Sequence, residues 1–158
     1  APVRQMVDAN IRVGLGVDGS ASNDGNQMLG EARQAMLLQR VGWPGFESSA
    51  SRFSAREALE LATVGGAKVL QRPDIGSLET GKAADFVAFR VDDLQHAGGH
   101  NDKVASLLTC ASTGVWLSVI NGRIIVQNGE LLNVDIESLV YRHNKLAHTM
   151  LVNAGKAR

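Results

Sequence analysis

The first half of the chain changes from one hydrophobic pattern to another. Residues 2–9 carry apolar side chains on one helical face and predict the end of a helix, whereas residues 11–17 alternate as a buried strand does. Residues 18–26 are rich in Gly, Ser, Asn and Asp and predict a turn. Helical spacing then returns over residues 28–40. The predicted core stripe of this helix is Met28, Ala32, Ala35, Met36 and Gln39.

A second helical region follows, and capping and helix-breaking residues mark its boundaries. Ser54 and Glu57 form a capping box, in which the Ser54 hydroxyl accepts the Glu57 backbone N–H and the Glu57 carboxylate reaches back to Ser54. We expect the helix that begins there to be interrupted at Gly65-Gly66, and the region to end at Pro73.

The second half of the chain predicts a small antiparallel sheet and a closing helix. Two Asn-Gly pairs lie between short apolar runs, and this dipeptide favours hairpin turns because both turn residues need positive φ. Residues 104–109 fit either a short helix or a strand. Apolar residues at helical spacing from about residue 136 predict a long helix that ends near Gly155. The predicted strands are residues 85–89, 115–120, 123–127 and 130–132.

Composition and charge exclude several classes of protein. The 158 residues are about the size of one domain, and 44% of them are hydrophobic, which is enough for a core. The 16 basic residues are scattered and balanced by 16 acidic ones, so neither nucleic acid nor an anionic membrane is expected as a partner. No apolar run reaches the roughly 18 to 20 residues of a membrane span. The single cysteine, Cys110, excludes an internal disulfide framework and fits a reducing, cytoplasmic setting.

The stretch VGLGVDGSASND, residues 13–24, has two features that suggest chemistry. Its glycines spell G-x-G-x-x-G, but they lie inside the predicted strand and no βαβ unit follows, which argues against a dinucleotide site. Its acid, Asp18, stands at the end of that strand. Asp18 fits an ordinary Asx turn, and it also fits a catalytic acid, since α/β barrels place catalytic groups at the carboxyl ends of their strands.

Four stretches of the chain, taken in order, resemble one known family. They are VGLGVDGSASND, SAREALELATVGGAKVL, IGSLETGKAADFVAF and VWLSVINGRIIVQNGEL. The family is the amidohydrolase superfamily, in its cytosine/guanine deaminase and chlorohydrolase branch. The first stretch resembles the family's last barrel strand, the second its helix pair after the barrel, and the last two its small β domain. Within the branch, VDGSASND is most similar to 8-oxoguanine deaminases, with the s-triazine hydrolases close behind.

The resemblance implies an α/β fold in three parts. Residues 1–72 would hold the last strand and the C-terminal helices of a metal-dependent (β/α)8 amidohydrolase barrel. Residues 73–134 would be part of the accessory small β domain, and residues 135–158 a C-terminal helix. A complete barrel takes about 250 residues, so we expect this chain to be the C-terminal portion of a longer protein, with the missing N-terminal barrel segment as its partner. Assembly into a homo-oligomer stays open.

The resemblance also implies a site. Of the family's metal ligands, only the Asp of the last strand maps onto this sequence, at Asp18, where it would contact a divalent metal, zinc foremost or iron, and shuttle protons. Metal-activated water would then deaminate a purine-like heterocycle of the 8-oxoguanine or guanine type. The other ligands would lie upstream, so the chain alone is expected to be inactive. The alternatives are s-triazine hydrolysis by the same machinery, or a non-catalytic fragment that serves packing or assembly.

Three polar residues follow Asp18 within one turn. We expect them either to contact the substrate or to brace Asp18, and turn capping alone is the competing interpretation; they are Ser20, Ser22 and Asn23. Glu31 is expected to face solvent or to form a salt bridge.

The remaining candidates are expected to be structural. We expect His96 and His100 to lie in a solvent-facing loop rather than in a metal site, because Gly98-Gly99 between them argues against a rigid helix. His143 is expected to be packed and hydrogen-bonded on the last helix. The other expectations are that His148 is on the surface, that Cys110 is a small core residue, and that the Trp43–Phe46 loop lines the barrel mouth or a subunit contact.

Overall fold

The computed structural model describes residues 1–41, 49–110 and 114–156 of the chain. The Trp43–Phe46 loop lies outside the described residues. Helices and a small antiparallel sheet follow one another along the chain in nearly the predicted order. The α-helices are α1 (Val3–Asp8), α2 (Met28–Arg40), α3 (Ala55–Glu60), α4 (Gly66–Val69), α5 (Lys103–Thr109) and α6 (Ile136–Asn153), and the strands are β1 (Phe86–Phe89), β2 (Val115–Ile120), β3 (Arg123–Gln127) and β4 (Glu130–Leu131).

The core lies where α1, α2, α3 and α5 meet. The stripe predicted for α2 is confirmed, with Ala32, Met36 and Gln39 buried. The segment that fitted either a helix or a strand is the helix α5, and the Asp102 side chain caps it by accepting a hydrogen bond from the Ala105 backbone N–H. Several of the core side chains are small, so the helices approach one another closely. The buried core residues are Ala32, Met36, Phe53, Ala55, Ala58, Leu61 and Leu108.

The helix that begins at the capping box continues further than expected. The capping box itself is confirmed: Ser54 Oγ accepts from Glu57 N at 3.1 Å, and Ser54 N donates to Glu57 Oε2 at 2.7 Å. The interruption expected at Gly65-Gly66 is wrong, because the chain passes from α3 through a π turn, Leu61–Gly65, directly into α4. Both glycines keep right-handed helical φ values, −62° and −57°.

The predicted strand at residues 11–17 pairs with no strand in the described parts of the chain. A strand forms only where a neighbour supplies backbone donors and acceptors, and this segment lies against the π turn instead. Leu15 N donates to Leu61 O at 3.2 Å. A Cβ added to Gly14 would come within 2.8 Å of the Cα of Gly66. Glycine therefore lets the two backbones touch at this point.

Arg4 joins α1 to the capping box. Its Nη1 donates to Glu57 Oε1 over 2.6 Å, another guanidinium nitrogen pairs with Asp8, and the guanidinium lies 5.8 Å from the centre of the Phe53 ring. Burial acts to raise the pKa of Glu57, but hydrogen bonds from Ser54 and Arg4 outweigh it and hold that pKa below its ordinary value. The folded chain therefore favours the charged form of Glu57.

The small sheet has the strand order β1-β2-β3-β4, and all neighbouring pairs are antiparallel. Both predicted Asn-Gly hairpin turns are confirmed. Asn121 and Gly122 have φ values of 48° and 73°, and Asn128 and Gly129 have values of 54° and 84°. At the first turn, Asn121 N donates to the side chain of Asp85, which links the turn to the start of β1.

The long final helix is confirmed as α6, but its surroundings differ from the prediction. Asp135 caps it, with Oδ1 accepting from Ser138 N at 3.0 Å. None of its side chains is buried, so the apolar stripe faces outward. His143 is exposed rather than packed, because the helix stands clear of the described core. His148 is exposed, as expected. Across the described ranges, no helix combines the length and apolar character that crossing a membrane requires.

Candidate functional site

Asp18 lies at the end of the segment that packs on the π turn, where the chain enters an exposed loop. Its backbone has φ = 63°, a left-handed conformation that Asp adopts more readily than most residues because its side chain can hydrogen-bond locally. That local bond is present: Gly19 N donates to Asp18 Oδ1 over 2.7 Å. The other carboxylate oxygen, Oδ2, has no hydrogen bond within the described residues. One oxygen is therefore held in place, while the other is left without a described partner on an exposed residue.

A tight turn directly follows Asp18. The backbone N–H groups of Ser22 and Asn23 both donate to Gly19 O, at 2.8 and 3.0 Å. The side chains of Ser20 and Ser22 are exposed and make no hydrogen bond to the parts of the chain that the structure describes. Both hydroxyls are therefore free to meet a ligand, but neither braces Asp18.

Asn23 differs from the two serines because both ends of its amide are engaged. Its Oδ1 accepts from Gly25 N at 2.9 Å, and its Nδ2 donates to Glu31 Oε1 over 2.6 Å. Asn23 is half-buried, and so is Glu31. The sequence led us to expect Glu31 in solvent or in a salt bridge, and this expectation is wrong. Glu31 is instead hydrogen-bonded to the loop through Asn23. A spacing of eight residues between a turn and a helix carries no recognisable sequence signal, which is why this pair was missed.

The described residues bring together too few ligands for a complete metal site. No group of three or more His, Cys, Asp or Glu side chains comes together in residues 1–41, 49–110 and 114–156. A catalytic zinc usually takes three protein ligands and a water. The described donor set therefore does not by itself fit a catalytic metal, to which Asp18 would contribute a single carboxylate. Chemically, the free oxygen of Asp18 can accept or donate a proton.

The glycines of VGLGVDGSASND serve different purposes. Gly14 lies against Gly66, as described above, whereas a Cβ on Gly16 or Gly19 would meet no atom within 4 Å in the described structure. The first glycine therefore allows two backbones to pack, and the other two leave the surroundings of Asp18 open. A nucleotide loop is not formed, since α2 begins only at Met28.

His96 is the residue whose surroundings differ most from the sequence expectation. Instead of facing solvent, it is fully buried, and its Nδ1 lies 2.6 Å from Asp93 Oδ1. The hydrogen bond with His96 holds the pKa of Asp93 below its ordinary value. Asp93 also caps a short 3-10 turn, so the pair fastens the loop in front of α5. His100 is exposed, as predicted.

Cys110 is exposed at the end of α5, so the prediction of a core residue is wrong. Its Sγ lies 3.6 Å from Ser106 Oγ, and Ser106 is the buried member of this pair. The short helix ends at Thr109, and Cys110 therefore falls just beyond the packed face.

The chain is similar to known proteins over nearly its whole length. Residues 1–125 match the amidohydrolase family. The 8-oxoguanine deaminase of Pseudomonas aeruginosa is 39% identical over 150 residues, which cover 95% of this chain and 32% of that protein. The 5-methylthioadenosine/S-adenosylhomocysteine deaminase of Desulforudis audaxviator is 35% identical over 152 residues, which cover 96% of this chain and 34% of that protein.

A solved structure shows the same similarity. The crystal structure of the atrazine chlorohydrolase of Arthrobacter aurescens TC1 complexed with zinc matches with a TM-score of 0.80 and 40% identity, over 92% of this chain and 32% of that one. The chain thus spans about a third of the length of these relatives.

Proposed function

The chain belongs to the amidohydrolase family, and on that premise we propose that it is the C-terminal portion of a hydrolase that acts on C–N bonds. Its fold is that of the C-terminal part of the family's α/β barrel together with part of the small β domain. We further propose that residues 1–72 belong to the barrel, residues 73–134 to the small β domain and residues 135–158 to a C-terminal helix. The preceding barrel segment would then complete the enzyme.

The proposed reaction replaces an exocyclic amino group of a nitrogen heterocycle with oxygen from water. Asp18 is the proposed catalytic residue, and the observation that supports this role is that its Oδ2 makes no hydrogen bond among the described residues. The carboxylate would take a proton from the attacking water and later donate it to the departing nitrogen, so that ammonia leaves and no net proton is lost. Ser20 and Ser22 are proposed to face the substrate, and Asn23 to brace the loop.

A divalent metal is part of the proposal for the complete protein. The chlorohydrolase structure named above contains zinc, and zinc is therefore the first candidate, with iron as the alternative. When bound, the metal would supply the acidity of the attacking water. This chain would contribute Asp18 to that site, and the remaining ligands would come from the barrel segment.

The proposed substrate class is a purine-like heterocycle, of the 8-oxoguanine or guanine type. Two relatives support this proposal, because their names describe them as deaminases of 8-oxoguanine and of 5-methylthioadenosine or S-adenosylhomocysteine. A second candidate is an s-triazine, since the atrazine chlorohydrolase has 40% identity to this chain. Assays of the complete enzyme with 8-oxoguanine, guanine, cytosine and hydroxylated triazines would separate the two, because each candidate predicts a different preferred compound.

The role of Asp18 is tested by Asp18→Asn in the complete enzyme. Proton transfer by a positioned side chain contributes about 10²- to 10⁴-fold to rate, so turnover should fall by a factor in this range. The matched control is Asp24→Asn, which changes an exposed acid of the same loop and should leave turnover near that of the wild type. Near-normal turnover of Asp18→Asn would contradict the assignment.

The remaining alternative is that the chain serves only packing or assembly. Elemental analysis of the complete purified protein distinguishes the two possibilities. An enzyme of the proposed class should hold a divalent metal in stoichiometric amount. Complete protein that folds but retains no metal, and that hydrolyses none of the compounds above, would favour the structural role.

A further inference from the structure

We propose that Glu31 is a positioning residue for Asp18 and acts through Asn23. This inference rests on the proposed function, since it assumes that the carboxylate of Asp18 does the chemistry. Glu31 lies on α2 and Asp18 lies in the exposed loop before it. Between them runs a continuous series of hydrogen bonds.

The series begins on the helix. Glu31 Oε1 accepts from Asn23 Nδ2 over 2.6 Å, and Asn23 N donates to Gly19 O over 3.0 Å. Gly19 N then donates to Asp18 Oδ1 over 2.7 Å. Each bond restrains the backbone that carries the next one, so Glu31 helps to hold the carboxylate of Asp18 in one direction. The hydrogen bond from Asn23 is charge-assisted, which makes it one of the stronger kinds.

Glu31 is suited to this role because its helix is held firmly in the core. The neighbouring residue, Ala32, is completely buried, and so is Met36 one turn later. The loop, by contrast, consists mainly of exposed residues and includes Asp18 in the left-handed conformation. A loop of this kind holds a side chain precisely only if something rigid supports it. The bond between Asn23 and Glu31 joins the loop to such a support.

The pair allows a test in which the hydrogen bond is first broken and then reversed. Asn23→Asp replaces the donor by a carboxylate facing Glu31, so the bond is lost and two negative charges repel each other. Adding Glu31→Gln restores the bond in the opposite direction, because the new amide can donate to the new carboxylate. The Oδ1 position that accepts from Gly25 N is retained in every one of these variants.

The experiment measures kcat and KM of the complete enzyme for the wild type, Asn23→Asp, Glu31→Gln and the double variant. A misplacement of about 1 Å can cost up to about 10²-fold in rate, so Asn23→Asp should lower kcat by about ten- to a hundredfold and change KM little. Glu31→Gln keeps an acceptor and should retain most of the turnover. If Asn23→Asp lowers kcat by about a hundredfold, the kcat of the double variant should be at least about tenfold higher than that of Asn23→Asp. Gln34→Ala, an exposed change on the same helix, is the control.

Several outcomes would overturn the inference. Asn23→Asp with an unchanged kcat would do so, and so would a double variant no more active than Asn23→Asp. If Asn23→Asp fails to fold, Glu31→Leu carries the test, because it removes the acceptor of Asn23 Nδ2, and an unchanged kcat in that variant overturns the inference. Thermal unfolding is recorded for each variant. Asp18→Asn is assayed in parallel: if it remains active, the proposed function fails, whereas an inactive Asp18→Asn beside a fully active Asn23→Asp defeats only the positioning role.

Discussion

At the scale of single residues, two adjacent glycines have different environments. A Cβ on Gly65 would lie 2.6 Å from Val13 O, which is backbone and cannot move aside easily. A Cβ on Gly66 would have only Leu61 O near it, at 4.0 Å. The contact with the segment before Asp18 therefore requires glycine at position 65. At position 66 the described structure leaves room for a side-chain methyl group.

This difference predicts opposite effects of the same substitution. Gly65→Ala should destabilise the complete protein by about 1–3 kcal/mol, because the extra methyl overpacks the contact. Gly66→Ala should be neutral or stabilise by up to about 1 kcal/mol, because alanine is the better helix former. Urea denaturation of both variants measures the free energy of unfolding. Equal effects of the two substitutions would show that the contact with Val13 is not tight.

At the scale of elements, the Arg4–Glu57 pair connects α1 to the start of α3. The helix α3 has only six residues before the π turn begins, so its first turn depends on the capping box and on neighbouring elements. Glu57 serves both, since one carboxylate oxygen accepts from Ser54 and the other accepts from Arg4. Its lowered pKa makes this contribution depend on pH.

The pH dependence has a definite sign. Because the pKa of Glu57 is lower in the folded chain than its ordinary value of 4.5, its stabilising effect is present above pH 4.5 and is lost as the pH falls through the folded pKa. Glu57→Gln should therefore be less stable than the wild type at neutral pH and lose less stability on acidification. Thermal unfolding as a function of pH checks this, with the exposed Glu60→Gln on the same helix as control. Parallel curves for wild type and Glu57→Gln would contradict it.

The features that could be predicted from the sequence are those set by local signals, and the features that could not be predicted depend on tertiary contacts. The bounds of α2, the capping box and both hairpin turns were predictable because each depends on residues close together in the chain. The burial of His96 and the bond between Asn23 and Glu31 were not, because they depend on which elements meet in space. The segment 11–17 has the alternation of a strand, yet pairing requires a neighbour that no local pattern reveals. Likewise, the turn chemistry of the residues after position 17 was predictable, but the left-handed backbone of Asp18 was not.

At the scale of the whole molecule, apolar side chains are exposed on several elements. Leu37 and Leu38 on α2 are about half exposed, at 46% and 50%, and on α6 the exposed fractions of Leu146 and Met150 are 60% and 64%. Contiguous exposed apolar patches usually mark contacts with other protein surfaces. In the proposed complete enzyme, the barrel segment would supply part of that cover.

The exposed side chains predict that the 158-residue chain, prepared alone, associates with itself. Its average sedimentation coefficient should rise with concentration, because association removes apolar surface from water. Replacing both Leu146 and Met150 with Glu should weaken this association, whereas Lys145→Glu, at a different angle on the same helix, should not. A chain that sediments as a monomer over the whole concentration range would contradict the prediction.

The conformation of Asp18 has a consequence for how this protein responds to selection. A left-handed backbone costs most residues about 1–2 kcal/mol, and glycine adopts it freely. Selection for stability alone would therefore readily accept glycine at this position, while under the proposed catalytic role selection for turnover would keep the acid. If that role holds, stability screens of the complete protein should keep position 18 constant, because stability and activity would favour different residues there.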